Sequence, residues 1–358
     1  MQRIAVIGGG IAGLTVALRR LEAFDQVVLF EAGAKVGGQL TSETQHGFLI
    51  EHGAEGFVAR SEAVPRLAAA VGIADRLVEQ LEHRSFRFDG TQLQELAPGE
   101  AGRLLGFQVP TDELGRGIRS FVSGMGELPQ RLAETLRGKL DLRLNSAVRS
   151  VTPHAQGVSV LGADDLRTEF SAAVVATPAR AAAGLLEGAL GAPARALQDS
   201  ALLSSLTVSL AYRREHVQHA LTASGFIVPV PEQLEGVRAV SFSSSKLPHR
   251  APAGHALFRV FFRPSEQDLR EFSDVAWLER AGRALARALP LSGAAVHGAV
   301  SRWPSALPVF DDAHRARVAA LSAALAGTRI WLAGSAFHGS GIDAAIRSAE
   351  HTAHSLAP

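Results

Sequence analysis

The sequence predicts an α/β fold: a Rossmann-like unit near the N-terminus, with a second, α+β part interleaved along the chain. Three observations predict it. Residues 4 to 7, IAVI, form an apolar run that passes through Gly8, Gly10 and Gly13 into a segment of helical period ending at Leu18. A second apolar run, QVVLFEA at residues 26 to 32, closes on an acid. Further on, residues 201 to 263 mostly alternate as β structure, whereas 315 to 326 and 342 to 356 carry helical period.

Each glycine of GGGIAG has a different duty. The spacing of Gly8, Gly10 and Gly13 is G-x-G-x-x-G, in which the first permits a tight turn, the second admits a pyrophosphate to the backbone, and the third lets helix and strand approach. Ile11 and Ala12 then open a helix whose unpaired N–H groups face the phosphates. Glu31 stands about 20 residues further on, where a carboxylate accepts from both ribose hydroxyls and disfavours a 2′-phosphate. A secretory signal would also begin with Arg3 and an uncharged run, but the glycines in that run weaken a signal helix.

Composition removes other classes. The chain has 358 residues, 47% hydrophobic and 20% charged, enough for about two domains with a sizeable core. A net charge of +1 gives no global field for nucleic acid, and no nucleic-acid module is recognisable. The absence of cysteine excludes disulfides, thiolate metal sites and thiol nucleophiles, and fits a cytoplasmic location. No apolar stretch reaches the roughly 18 residues of a membrane span. Thirteen histidines show no metal-binding spacing, FSSSK lacks the nucleophile elbow of hydrolases, and Asp311-Asp312 and Asp164-Asp165 read as turn residues. No metal is expected.

The intervening elements follow from local signals. Residues 61 to 81 are amphipathic with helical period and a pause at Gly72. FRFDGTQLQEL reads as a hairpin about Asp89-Gly90. SGMGELPQRLAETL is a glycine turn opening a helix, DLRLNSAVRSVTPHAQGVSVL continues as strand, turn and strand, and FSAAVVATPARAAAGLL sets an apolar strand before Thr177-Pro178. The expected division is 1–59, 124–180 and 327–358 for the dinucleotide, with 60–123 and 181–326 for the substrate.

The segment GAKVGGQL places a second glycine loop directly after the second strand, and GFLIEHGAEGF follows it. A nicotinamide enzyme has no need of that loop. Here the sequence resembles the flavin amine oxidase superfamily, whose second motif lays backbone amides and an arginine along the FAD pyrophosphate. The motif stands as Lys35-Val36-Gly37-Gly38-Gln39, so Gln39 replaces the second arginine with an uncharged donor. Along nearly the whole chain the sequence is similar to the protoporphyrinogen oxidases and their coproporphyrinogen-oxidising relatives, through FVSGMGELPQRL, SGFIVPVPE, AVSFSSSKLPHRAPAG, SRWPSALPVFDDAHRARV and LAGSAFHGSGIDAAIRSAEHTA.

That resemblance implies FAD as cofactor. It adds Ala32, Gly53, Ala54, Glu55, Val148, Thr177 and Trp303 to the cofactor residues, with Gly334 closing a strand against the ligand and Gly341, Ile342 and Asp343 opening a helix beside the flavin ring. It implies oxidation of a porphyrinogen, a tetrapyrrole, with hydride passing to flavin N5 and dioxygen as acceptor. His338 is the one acid–base candidate. Arg60, Arg84, Arg116 and Arg119 are candidates for substrate propionates.

The segment between the third strand and the glycine–methionine–glycine turn is much shorter than in that family, where it is largely helical and borders substrate and membrane. Peripheral membrane contact is therefore expected to be weaker here. Two other functions stay open: an amine oxidase or desaturase, with Thr207, where amine oxidases carry a lysine, arguing against amines but not against desaturation, and a non-catalytic or partner-dependent flavin protein.

Overall fold

A computed structural model of the protein describes residues 1–105, 117–230, 232 and 234–356. Five parallel strands form its first sheet, in the order Asp141–Arg143, Gln26–Phe30, Arg3–Ile7, Ala172–Val175 and Ile330–Leu332. Their near-continuous apolar sequences are those of strands covered on both faces. Ile4, Val6, Val27, Leu29 and Val174 point to one side, where they meet the first helix, Ile11–Glu22, and the C-terminal helix, Ile342–Ser355. Their neighbours Ala5, Ile7, Val28, Phe30 and Val175 point to the other side. There the helix Ala179–Leu190 and a three-stranded meander, Val148–His154, Gly157–Gly162 and Arg167–Phe170, cover them.

The second large sheet has seven strands, ordered His297–Pro308, Leu202–Arg213, His255–Phe262, Val237–Ser241, Gly225–Ile227, Phe86–Phe88 and Leu93–Glu95. Its two faces are separated by strict alternation. Leu206, Val208, Leu210 and Tyr212 pack beneath the helix Asp274–Ala288 through Trp277, Ala281 and Leu285. Thr207, Ser209 and Ala211 share the opposite face with Arg259, Phe261 and Ser301, their cross-strand partners. On that side Ala211 and Leu257 pack with Phe48 and Ile50 of the short strand Phe48–Glu51.

One expected element changes type. The helix predicted over 61–81 stops at Ala70; Gly72 takes a left-handed conformation, a single 3₁₀ turn follows at Ala74–Arg76, and Leu77–Glu79 is a strand pairing with Ile118–Phe121. The glycine ends the helix, and the backbone of the next residues finds a partner far along the chain that helical period does not reveal. Asp311 is more than a turn residue: its carboxylate accepts from the His314 amide at 2.7 Å and caps the helix Asp312–Ala324. The hairpin Phe86–Phe88 to Leu93–Glu95 forms as predicted, with Asp89 Oδ1 accepting from the amides of Thr91 and Gln92. Among the described residues no helix is long and apolar enough to cross a membrane.

Candidate active site

The first glycine turn is built by three different constraints. Gly8 has φ of +109°, and a methyl there would stand 2.6 Å from the Ala176 carbonyl oxygen. A methyl on Gly13 would overlap the Gly8 carbonyl oxygen, so only glycine lets the first helix lie this close to its strand. Gly10, by contrast, faces open space: among the described residues nothing lies within 4 Å of where its side chain would be. The missing side chain keeps a surface clear.

The second glycine turn is joined to the first. Gly37 donates its N–H to the Gly9 carbonyl at 2.8 Å and forms a parallel bridge with Gly10, while Gly38 stands over the Gly10 Cα. Two loops far apart in sequence thus present one strip of backbone.

Helix ends converge on the same strip. Arg19 of the first helix meets Glu350 of the C-terminal helix at 2.8 Å, and each lies eight residues beyond the first residue of its helix. Arg20 also donates to the Ala353 carbonyl. The two helices therefore run parallel, and Ile11 and Ile342 stand at the same end. Their N-caps, Gly10 and Gly341, bring no capping side chain, and Gly341 also faces open space. The first-turn N–H groups of both helices are left for a ligand, with the positive ends of two helix dipoles behind them. Gly334 lies against Ala12 at the start of the first helix and donates its N–H to Ser348 Oγ at 3.1 Å, which ties the last strand to this end.

At one end of the strip Glu31 holds the loop. Its Oε2 accepts from the Gly9 amide and its Oε1 from the Gly33 amide, both at 2.7 Å. The Glu31 carbonyl accepts from Ser146, which brings the start of Val148–His154, and so Val148, to the same end. Ala32 and Lys35 are exposed beside it. Thr177 follows the strand Ala172–Val175, with its Cγ2 next to Gly8; its hydroxyl is shielded from solvent and has no hydrogen-bond partner among the described residues.

At the other end the structure gives several expected cofactor residues protein partners. Gln39 Nε2 donates to the Ala306 carbonyl at 3.0 Å, and Trp303 Nε1 to the His52 carbonyl at 2.6 Å, so the edge strand His297–Pro308 is pinned over the loop at two points. Gly53 packs on the Gln39 carbonyl, and the Ala54 amide reaches that carbonyl at only 3.3 Å. Asp343 Oδ1 accepts from Ser61 Oγ and from the Ala63 amide, which caps the helix Ala63–Ala70, and its Oδ2 pairs with Arg347 at 2.9 Å. His338 is exposed at the end of a four-residue helix, Ser335–His338, that the sequence did not reveal. Partial desolvation holds its imidazole below the usual range, against the raising effect of a hydrogen bond to the Leu332 backbone, and His351 adds to the lowering.

Of the propionate candidates, Arg119 pairs with Glu79 at 2.8 Å and Arg84 stands 4.0 Å from Glu95. Arg60 is exposed, and Arg116 lies outside the described residues.

Sequence reading missed a buried set of charges under the Gly53 turn. Glu55, expected to contact the cofactor, turns its carboxylate to the seven-stranded sheet, accepting from Ser241 Oγ at 3.0 Å, Ser243 Oγ at 2.9 Å and Lys246 Nζ at 2.9 Å. Burial alone would raise its pKa, but Lys246, Arg259 and these hydrogen bonds prevail and hold it at about 2. Glu51 behaves oppositely. Desolvation pushes it up to about 7, although Ser42 Oγ, Arg250 and the Met125 amide favour its charged form. Arg250 is wholly buried and donates to Ser120 Oγ and the Phe121 carbonyl, 3.8 Å from Glu51. Arg259, 3% exposed, donates to the Gly53 carbonyl and approaches Thr207 Oγ1 at 3.4 Å. The signal was present in FRVFF: a lone arginine inside an apolar strand must find a counter-charge.

The residues fit an FAD lying along the strip. Open space at Gly10 and Gly341, two uncapped parallel helix ends and the orphaned Thr177 hydroxyl suit a pyrophosphate-bearing ligand, with Glu31 at its ribose. Comparison with known proteins agrees. The model for flavin containing amine oxidoreductase matches residues 103–357, and that for an NAD(P)-binding Rossmann-like domain matches residues 6–71. Coproporphyrinogen III oxidase of Propionibacterium freudenreichii subsp. freudenreichii is 32% identical over 247 residues, covering 66% of this chain and 44% of the relative. The protein of the same name from Bacillus subtilis is 21% identical across 95% of both chains, in an alignment of 449 positions that leaves many of them opposite gaps here. Among solved structures, a putative protoporphyrinogen oxidase from Exiguobacterium sp. 255-15 superposes with a TM-score of 0.84 over 99% of this chain and 98% of its own, at 20% identity.

Proposed function

The chain belongs to the flavin containing amine oxidoreductase family, and we propose that this FAD-dependent oxidoreductase oxidises a porphyrinogen to the porphyrin in the cytoplasm, with dioxygen as final acceptor. The observation that carries the substrate class is the similarity to coproporphyrinogen III oxidases, which for the Bacillus subtilis protein spans 95% of both chains. Held along the glycine strip by the Gly10 and Gly38 backbone and by Glu31, FAD would supply two-electron (hydride-accepting) chemistry, with dioxygen as the final acceptor.

The chain's own work is binding, aiming and exclusion. The amides around Gly10 and Gly38 and the uncapped ends at Ile11 and Ile342 would hold the pyrophosphate and favour negative charge on the reduced ring, and Glu31 would fix the ribose. We assign residues 1–59, 124–180 and 327–358 to this task, and these segments contain all five strands of the parallel sheet. Residues 60–123 and 181–326 make the substrate side, and contain all seven strands of the other sheet. The Gln39–Ala306 and Trp303–His52 bonds keep the two parts in register, which is what aiming a carbon at one ring atom demands. Thr207, buried and facing Arg259, offers no amine-directed base.

Anaerobic mixing tests the reading. Coproporphyrinogen or protoporphyrinogen is expected to bleach the flavin absorbance of the purified holoprotein, and amines are expected to leave it unchanged. Bleaching by amines alone, or by none of these, would overturn it.

A further inference from the structure

The charges buried beneath the Gly53 turn do not balance. Arg250 and Arg259, both buried, and Lys246, whose side chain is 17% exposed, bring three cations. Against them stand Glu55, ionised throughout the neutral range, and Glu51, which burial leaves only about half ionised near pH 7. Net positive charge therefore remains in a place of low polarity, where its field is poorly screened.

Arg259 is the member of this set that reaches the cofactor loop. It stands on the polar face of the sheet, level with Ser209 and Ser241, and its Nη2 donates to the Gly53 carbonyl. Its Nε is buried and has no hydrogen-bond partner among the described residues. The Gly53 carbonyl belongs to the same peptide unit as the Ala54 N–H, which is engaged only at 3.3 Å by Gln39. A cation on the carbonyl polarises that peptide and makes its N–H a stronger donor. Gln39 follows Gly38, which stands over the Gly10 Cα, so the line from Arg259 to the ligand strip runs through directly touching residues.

We infer that Arg259 is a positioning residue that sets the electron affinity of the bound flavin, through the Gly53–Ala54 peptide and the unbalanced positive charge behind it. This rests on FAD occupying the strip. Electron transfer to a flavin builds negative charge on the ring, and a fixed cation favours the reduced form without reorganising. Glu55 moderates the effect by offsetting part of that charge, and Lys246 fixes Glu55 in place.

Sulfite titration reads this directly, because sulfite adds to oxidised flavin at N5 and leaves negative charge on the ring, with no substrate involved. In the FAD-loaded protein, Arg259→Gln is expected to weaken sulfite binding about tenfold or more. The two-electron midpoint potential should fall by about 30 mV for each tenfold loss in stability of the reduced form. Arg259→Lys, which keeps the charge, should recover most of both. Glu55→Gln should move both readings the opposite way, severalfold tighter for sulfite. An Arg259→Gln holoprotein with wild-type sulfite affinity and potential overturns the inference. Should that variant not retain flavin, Glu55→Gln decides, and unchanged or weaker sulfite binding there overturns it equally. A wild-type chain that takes up no FAD would instead sink the functional reading on which this one stands.

Discussion

Glu31 and Gly9 are locked together across the first glycine turn, Oε2 accepting the Gly9 amide at 2.7 Å, with the carboxylate otherwise engaged, among the described residues, only by Gly33. A carboxylate so placed orients the loop and keeps acceptor capacity for a ribose. Glu31→Ala is therefore expected to raise the dissociation constant of FAD about tenfold to a hundredfold, the worth of one or two charge-assisted hydrogen bonds. Fluorescence titration of the apoprotein measures it, and an unchanged constant would remove Glu31 from the site.

Gly10 and Gly13 should separate binding from folding. Gly10 has an extended conformation any residue accepts and faces open space, so Gly10→Ala should melt at the wild-type temperature as apoprotein yet bind FAD poorly. Gly13→Ala drives a methyl into the Gly8 carbonyl and should cost about 1–3 kcal/mol or more. Thermal melts of both apoproteins, paired with FAD titration, test the distinction.

Glu51 gives the molecule a pH dependence of definite sign. Its folded pKa, about 7, is raised above its ordinary value, so the native state binds the proton more tightly than the unfolded chain. The associated stability is complete below the ordinary carboxyl range and is lost as pH rises through about 7. Glu51→Gln imitates the protonated form and should gain on the wild type by on the order of 3 kcal/mol at pH 8, with little difference at pH 4. Urea denaturation at the two values gives the answer, and parallel curves for both proteins would contradict it.

Glu55 has the opposite sign. Its folded pKa is depressed to about 2, so its contribution is present above the ordinary carboxyl range and lost as pH falls through about 2. Glu55→Ala leaves Lys246 and Arg259 without their shared counter-ion and is expected to destabilise by about 3–5 kcal/mol at pH 7. The difference from wild type should shrink in acid. Denaturation at pH 7 and pH 3 measures both.

Much of the dinucleotide site could be read from the sequence because its determinants are local. A strand, three glycines and a helix within residues 3 to 22 fix one turn, and the acid closing the next strand falls where right-handed crossover geometry must bring it. The hairpin at Asp89 was equally plain, since an aspartate that bonds the amides two and three residues on makes its own turn. The strand at Leu77–Glu79 was not, because its reason for being a strand is the backbone of Ile118–Phe121.

The sequence alone determined where the backbone could turn tightly, which residues were apolar on alternate positions, and that an acid stood opposite a glycine loop. These depend on chirality, steric limits and periodicity, which act over a few residues. Only the tertiary structure decided that the Glu55 carboxylate pairs with Lys246, that Gln39 bonds to Ala306, and that Arg259 ends beneath Gly53. Such pairings join positions some two hundred residues or more apart. A buried charge takes whatever partner packing brings within reach, and no local rule carries that information.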